Sequence, residues 1–183
     1  MSFVRGIEHI ALTVPNIEEA EAFFIQAFDA EVLYRTLPKS ADDQSGEQVG
    51  PINGMPHDNA QRAISMLRMG TGANLELIEV ASPTGEPANI STLGPTHFSI
   101  VVDDIQAAGR AIRQAGGTMF DGPQECSGAE SGPGNQLWFC HTPWKSLIEI
   151  LQLPSEMTYR EGATKTRYIP PASEQDANTP SSR

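Results

Sequence analysis

The sequence has few cysteines, few basic residues and no long hydrophobic run. Its 183 residues include two cysteines, too few to cross-link a secreted scaffold, so we expect a reducing, cytoplasmic setting. Lysine and arginine number 12 against 23 acidic residues, giving a formal net charge of −11. This balance argues against a nucleic-acid partner and against an anionic membrane surface. No apolar stretch approaches the roughly 20 residues of a membrane helix, and the early glutamates do not suit a signal peptide.

The remaining composition divides the chain into a body and a tail. Residues 154–183 hold equal numbers of acidic and basic side chains, so the net charge lies in the preceding residues. Residues 170–183 are rich in proline, serine and polar side chains, which predicts a disordered tail. Residues 154–169 keep several aromatic and aliphatic side chains and are a possible strap docked on the body. Residues 38–62, full of Gly, Pro, Asp and Gln, predict a long loop that is either a lid or a surface excursion.

A strand followed by a helix occurs twice in the body. Residues 8–14 alternate polar and apolar side chains, as a half-buried strand does, and Asn16 is a good N-cap for the helix that follows. A shift of 88 positions turns His9 into His97 and Asn16 into Asp104, and the apolar positions of strand and helix are kept. Because chance would rarely match both elements, the correspondence indicates a structural repeat.

Extended segments after each helix complete two βαβββ modules and predict an α+β fold. The first module spans residues 1–82, including the loop at 38–62, and residues 83–95 form a linker to the second module at 96–153. The predicted strands after the helices are Glu31–Leu37, Ala63–Met69 and Asn74–Ala81 in the first module, and Thr118–Phe120 (continuing towards Glu125), Gln136–His141 and Leu147–Leu153 in the second.

The last strand of each module carries one acidic residue among apolar neighbours. Alternation turns Glu76 and Glu149 away from the leucines and isoleucines beside them. The helices should bury the apolar faces, so we expect His9 and His97 to share the opposite, concave side with these glutamates. A buried carboxylate is costly unless it is paired or binds a metal. Two imidazoles and two carboxylates suit one divalent ion, and zinc, nickel, cobalt, iron and manganese all remain candidates.

The other histidines and the cysteines have simpler interpretations. A single strand histidine or glutamate is most often an ordinary structural residue, and only the matched set of four favours a metal. His57 in the long loop and His141 at a strand end are interpreted as ordinary polar residues. Cys126 and Cys140 lack CxxC spacing and a basic neighbour, so we interpret them as structural.

Together these segments resemble the vicinal oxygen chelate superfamily, which includes glyoxalase I, methylmalonyl-CoA epimerase, extradiol dioxygenases and the fosfomycin and bleomycin resistance proteins. The resemblance covers about residues 5–153 and rests on Gly6–Val14, Asn74–Leu77, Thr96–Asp104 and Leu147–Ile150. It implies that the two modules form a curved, barrel-like mixed sheet around a metal cleft. It also places His9, Glu76, His97 and Glu149 on the four ligand positions of glyoxalase I. The family's usual Asp-Pro-Asp-Gly-Asn turn is replaced here by Thr142–Ser146, which indicates a less common subgroup.

The function implied by this resemblance is that of a divalent-metal-dependent isomerase, epimerase or lyase. Such an enzyme would act through an enolate of a small vicinal-oxygen substrate, with Glu149 as the preferred general base and Glu76 as a second catalytic group or a ligand. An Fe(II)-dependent extradiol-type dioxygenase and a non-catalytic, small-molecule-binding resistance-type protein are the alternatives.

The substrate and the assembly are less constrained by the residues. Arg5, Arg35, Arg68 and Lys145 are scattered rather than clustered, which favours a small or more hydrophobic substrate over a large anionic one. We expect a homodimer, and the sequence leaves open whether the site lies within one chain or is shared across two.

Overall fold

The computed structural model describes residues 4–172, which cluster into two compact units. The first unit combines residues 4–25 with 29–86, and the second combines 26–28 with 87–172. Within residues 4–172, no helix has both the length and the apolar character needed to cross a bilayer. Most of the predicted disordered tail, residues 173–183, lies outside the described residues.

The first unit contains a five-stranded mixed sheet. Its elements are β1 (His9–Val14), α1 (Ile17–Phe28), β2 (Glu31–Leu37), β3 (Gln44–Ser45), α2 (Gly46–Asn53), β4 (Ala60–Arg68) and β5 (Asn74–Val80). The strand order is β1-β5-β4-β2, and the short β3 pairs with β4. β1 runs parallel to β5, whereas the β4 pairings are antiparallel.

The second unit repeats this arrangement. It comprises β6 (Phe98–Val101), α3 (Ile105–Gln114), β7 (Thr118–Met119), β8 (Gln124–Glu125), a short 3-10 helix (Gly128–Glu130), β9 (Gln136–His141) and β10 (Leu147–Gln152). The strand order is β6-β10-β9-β7 with β8 on β9, and the one parallel pair is again the first strand with the last. The predicted α+β class and the repeated βαβββ module are therefore confirmed.

Equivalent caps begin the first helix of each module. The Asn16 side chain accepts a hydrogen bond from the Glu19 amide at 3.0 Å, and Asp104 accepts one from the Ala107 amide at 2.8 Å. These bonds satisfy amides that the first helical turn leaves without partners. As the apolar pattern predicts, the side chains flanking the two strand glutamates are buried; they are Leu75, Leu77, Ile148 and Ile150.

Residues 38–62, predicted to be a long loop, contain regular structure. They include β3, α2 and the start of β4. The glycine and proline content suggested an irregular segment, yet two glycines are required by close packing. A Cβ at Gly46 would lie 1.9 Å from the Pro56 carbonyl oxygen, and one at Gly50 would lie 2.6 Å from that of Met55. The segment is therefore a folded insertion, called the α2 insertion below.

The proposed strap contacts the second unit through hydrogen bonds. The Ser155 amide donates to Asn135 Oδ1 at 2.9 Å, and Asn135 Nδ2 donates to the Ser155 carbonyl at 3.1 Å. Further along, Arg167 forms an ion pair with Glu130. Asn135 is fully buried, so this exchange satisfies a polar side chain that would otherwise lack partners.

Candidate metal and active site

In the first unit, strand register brings His9 and Glu76 together. β1 and β5 pair so that Ala11 lies opposite Glu76, and His9 precedes Ala11 by two residues. Side chains two apart on a strand share a face, so the imidazole and the carboxylate project from the same side of the sheet. His9 Nε2 lies 3.9 Å from Glu76 Oε2.

In the second unit, the same register brings His97 and Glu149 together. β6 and β10 pair so that Ser99, two residues after His97, lies opposite Glu149. His97 Nε2 lies 3.7 Å from Glu149 Oε2. The two pairs are thus equivalent in register and similar in interatomic distance, with His9 at the first residue of β1 and His97 immediately before β6, although they share little surrounding sequence.

The spacing within each pair suits two ligands of one metal ion better than a direct hydrogen bond. Nitrogen–oxygen hydrogen bonds are about 2.7–3.2 Å long, shorter than either separation. Ligand atoms lie about 2.0–2.2 Å from a zinc-like ion, so two ligands of the same ion are at most about 4.4 Å apart. Both pairs fall within that limit. The chemistry and spacing of these residues therefore fit a divalent ion.

Neighbouring side chains orient each histidine through its other nitrogen. His9 Nδ1 lies 2.6 Å from Glu8 Oε2, and Asn74 donates a hydrogen bond to the same carboxylate. Because a carboxylate only accepts hydrogen bonds, Nδ1 is the donor, which leaves Nε2 as the nitrogen that faces Glu76 and can bind a metal once it is deprotonated. The hydrogen bond to Glu8 raises the pKa of His9.

The equivalent position in the second unit holds a hydroxyl group. Thr96 Oγ1 lies 3.0 Å from His97 Nδ1. Carboxylates and other polar groups behind metal-binding histidines commonly fix the ring and tune its basicity. Both candidate ligands therefore have an outer partner at the preceding residue, with a charged partner in one module and a neutral partner in the other.

The two glutamates differ in how they are held. Ser99 donates a hydrogen bond to Glu149 Oε2, the oxygen nearest His97. The corresponding residue beside Glu76 is Ala11, and the Glu76 carboxylate accepts no side-chain hydrogen bond from the described residues. The Glu149 side chain is 15% exposed and that of Glu76 is 23% exposed. Glu149 is the more firmly oriented carboxylate of the two.

The structure brings the four predicted ligands together as two pairs, one in each unit. Among residues 4–172, no three His, Cys, Asp or Glu side chains gather into a metal-binding group. The assignment of all four residues to one ion stays a prediction.

Two of the basic residues considered in the sequence analysis have local structural partners. Arg35 forms a two-point contact with the buried Glu21 carboxylate, and Arg68 donates to the carbonyls of Gly70 and Gly72. Burial raises the pKa of the Cys140 thiol to about 12, so this thiol is protonated at neutral pH.

Cys126 and His141 also show the effects of burial. Burial raises the pKa of the Cys126 thiol and lowers that of His141. The His141 ring packs edge-on against Phe120, with ring centroids 4.9 Å apart. These contacts agree with a structural interpretation of both residues.

A cavity of about 350 Å³ lies in the first unit, on the face of β1 and β5 that carries His9 and Glu76. Thr13 and Ile78 line it, and they follow His9 and Glu76 on the same face of β1 and β5. Gln61 of β4 also lines the cavity. The α2 insertion and the following segment complete the lining with Asn53, Gly54, Met55, Pro56 and Asn59, and further residues are Val80, Pro83 and Thr84.

Sequence reasoning missed several of these residues. Glu8 and Thr96 differ by the same 88 positions as the two histidines, a signal that the repeat could have supplied. The position equivalent to Ser99 in the first module is an alanine, so the repeat gave no signal for Ser99. Gln61 was unrecognised because it lay inside the predicted irregular loop.

Comparisons with known proteins agree with the fold. Residues 8–131 match the family model described as the glyoxalase/bleomycin resistance protein/dioxygenase superfamily. A 2-epi-5-epi-valiolone epimerase from Actinomyces is 30% identical over 176 residues, covering 93% of this chain and 92% of that protein.

Solved structures share the fold at lower identity. A glyoxalase family protein from Bacillus cereus has a TM-score of 0.62 at 17% identity, covering 83% of this chain and 97% of that one. A variant of a fosfomycin resistance protein from Listeria monocytogenes, solved with Mn(II) and a dihydroxypropylphosphonic acid, has a TM-score of 0.50 at 17% identity. It covers 81% of this chain and 90% of that one.

Proposed function

Because this chain belongs to the glyoxalase/bleomycin resistance protein/dioxygenase superfamily, we propose that it is a divalent-metal-dependent epimerase that inverts a carbon next to a ketone. The observation that carries the proposal is the repeated His–Glu pair, with separations of 3.9 and 3.7 Å at equivalent strand positions. Conserving that geometry in two modules with different sequences is expected when both pairs serve the same bound group.

The identity of the relative supports the choice of reaction. The Actinomyces protein is named for epimerising 2-epi-5-epi-valiolone, and valiolones are polyhydroxylated cyclic ketones. Inverting a carbon next to a carbonyl requires removal of its proton, passage of the bonding electrons towards the carbonyl oxygen, and return of a proton to the other face. This series of steps consumes no oxidant or reductant.

His9, Glu76, His97 and Glu149 are the residues that would hold the ion. A bound divalent cation supplies Lewis acidity, which favours the negative charge that develops on the carbonyl oxygen. The outer partners Glu8 and Thr96 keep the two imidazoles in place for this role. Enforced ring orientation lowers the reorganisation that catalysis would otherwise require.

Glu149 is the proposed general base. Its Oε2 accepts the Ser99 hydroxyl, so the carboxylate is oriented and Oε1 can receive the substrate proton. Returning the proton to the opposite face requires a second group or a reoriented intermediate, and Glu76 is the proposed second acid. A positioned acid or base typically contributes about 10²–10⁴-fold to rate.

The test is proton exchange with solvent by the metal-loaded protein. Wild type given 2-epi-5-epi-valiolone in D₂O should incorporate deuterium beside the carbonyl and form the epimer, both followed by NMR. Glu149→Gln should keep fold and bound metal and lose about 10²–10⁴-fold in kcat, because an amide cannot take the proton.

The matched control is Glu86→Gln, an exposed change outside the site that should keep full activity. Two outcomes would oppose the proposal. Undiminished turnover in Glu149→Gln would reject this residue as the base. Absence of both exchange and epimer in metal-loaded wild type would reject the epimerase function itself.

A further inference from the structure

We infer that the cavity beside His9 and Glu76 is a subsite for the body of a neutral, polyhydroxylated ring, and that Gln61 is its main specificity-determining residue. The inference deepens the proposed function, since it names the class of molecule held next to the candidate metal ligands.

The position of the cavity is the first argument. Ile78 follows Glu76 by two residues on the same face of β5, a separation of about 7 Å along the strand. That distance is comparable to the width of a substituted six-membered ring. A ketone oxygen near the His9–Glu76 pair would therefore place the rest of the ring against Thr13 and Ile78.

The side chain of Gln61 is the second argument. It is 5% exposed, and its Oε1 accepts a hydrogen bond from Asn53 Nδ2 at 3.3 Å. The Met55 amide donates to Asn53 Oδ1, which fixes the orientation of the Asn53 amide and thereby that of Gln61. Gln61 lines the cavity, and its Nε2 donates to no other side chain or carbonyl among the described residues.

An amide donor that lines a cavity and has no partner within the protein is available to a bound ligand. Gln61 Nε2 can donate to hydroxyl oxygens of a bound ring, and the hydroxyl of Thr13 adds a donor and acceptor nearby on the same face. The apolar part of the lining, including Ile78 and Val80, suits the carbon skeleton of the ring.

The charge of the lining is the third argument. The residues that surround the cavity include no Lys, Arg, Asp or Glu in the described part of the chain. A phosphate or carboxylate held against these residues would lose hydration and gain no counter-charge from them, which is strongly unfavourable. The site therefore selects an unphosphorylated polyol over its phosphate ester.

The α2 insertion builds this subsite in the first module only. Gly46 and Gly50 pack against the carbonyls of Pro56 and Met55 so closely that the insertion is held as one folded piece. The second module is shorter between its histidine and its last glutamate, and at the place of α2 it has only the three-residue 3-10 helix Gly128–Glu130. The repeat thus supplies two similar ligand pairs, whereas the insertion distinguishes one side of the site by its substrate contacts.

The experiment compares Gln61→Leu and Thr13→Val with the matched control Gln124→Leu, which changes an exposed glutamine on β8. With 2-epi-5-epi-valiolone, Gln61→Leu should raise KM by about 10-fold with a smaller change in kcat, and Thr13→Val should raise KM less. Gln124→Leu should match wild type. Wild-type binding of myo-inositol, measured by calorimetry on metal-loaded protein, should be at least 10-fold tighter than that of myo-inositol monophosphate, and Gln61→Leu should weaken the former.

Failures of the two proposals are distinguishable. If the ketone is epimerised but Gln61→Leu and Thr13→Val both behave like Gln124→Leu, the subsite is wrong and the epimerase function stands. If no epimerisation occurs but myo-inositol binding depends on Gln61, the subsite stands and the epimerase function is wrong. Equal or tighter binding of the phosphate ester would overturn the assigned neutrality of the ligand.

Discussion

Single residues distinguish the two halves of the candidate site more than the strands do. The imidazole of His9 is held by a carboxylate, Glu8, whereas its counterpart His97 is held by the hydroxyl of Thr96. The two glutamates differ in the opposite sense. Ser99 donates a hydrogen bond to Glu149 in the second module, whereas no side chain among the described residues donates to Glu76 in the first. The first module thus orients its histidine most strongly, and the second orients its glutamate.

Glu8→Gln should weaken metal binding by about 10-fold or more. The change keeps an acceptor for His9 Nδ1 but removes the charge that strengthens the hydrogen bond, and outer partners of this kind typically account for 10–100-fold in metal affinity. The measurement is the dissociation constant for Zn²⁺ by competition with a chelator. Glu86→Gln should leave the constant unchanged, and an unaltered affinity in Glu8→Gln would show that His9 needs no charged partner.

At the level of helices and strands, both modules contain the same hydrogen bond. It joins the helix that follows the first strand to the last strand of the module. Glu79 of β5 accepts from the Ile17 amide at 2.8 Å, and Gln152 of β10 accepts from the Ile105 amide at 2.9 Å. Each bond satisfies the first amide of a helix and joins that helix to the strand bearing the candidate glutamate. Glu79 also pairs with Lys39 at 3.1 Å.

Glu79→Leu should lower the free energy of unfolding by about 1–3 kcal/mol. The buried Ile17 amide would lose its acceptor, and an unsatisfied buried donor costs about that much. Glu79→Gln should cost clearly less, because its amide oxygen still accepts, as Gln152 does in the other module. Urea denaturation followed by circular dichroism measures both.

The control for this pair is Glu31→Leu, an exposed change at the start of β2. Its effect should stay within about 0.5 kcal/mol, as for other surface substitutions. Equal losses in Glu79→Gln and Glu79→Leu would assign the stabilisation to the Lys39 ion pair rather than to the helix amide.

The whole molecule should bind one divalent ion per chain. A single ion is expected because two matched ligand pairs supply the number of protein ligands that one such ion takes. Elemental analysis of protein purified without chelator should give a ratio of one, and metal at 100 times its dissociation constant should stabilise the fold by about 2.7 kcal/mol. A chelator should reverse the accompanying rise in Tm.

Variants separate one shared ion from two independent ones. His9→Ala and His97→Ala should each remove the thermal shift and reduce the ratio well below one. A ratio of two, or a ratio of one that only one of these variants reduces, would contradict a shared ion. The homodimer expected from the sequence stays a prediction.

The ends of the strands and helices show how well the sequence predicted them. β2 and β9 begin and end at the predicted residues, and both N-caps were recognised, because alternation and capping are local properties. The α2 insertion was misjudged because the packing of Gly46 against Pro56 involves residues ten positions apart and leaves no local pattern. The composition predicted a long loop around those glycines, whereas in the structure they allow close backbone packing.

The sequence by itself determined the repeat, the α+β class and which four side chains share equivalent strand positions. Those properties follow from periodicity and spacing, which any strand or helix imposes on its own residues. Only the tertiary structure decided which groups support these side chains: Glu8 and Thr96 behind the histidines, Ser99 on Glu149, and the cavity that Gln61 lines. Hydrogen-bond partners and cavities depend on how separate strands and the α2 insertion meet, and one-dimensional spacing does not encode those distances.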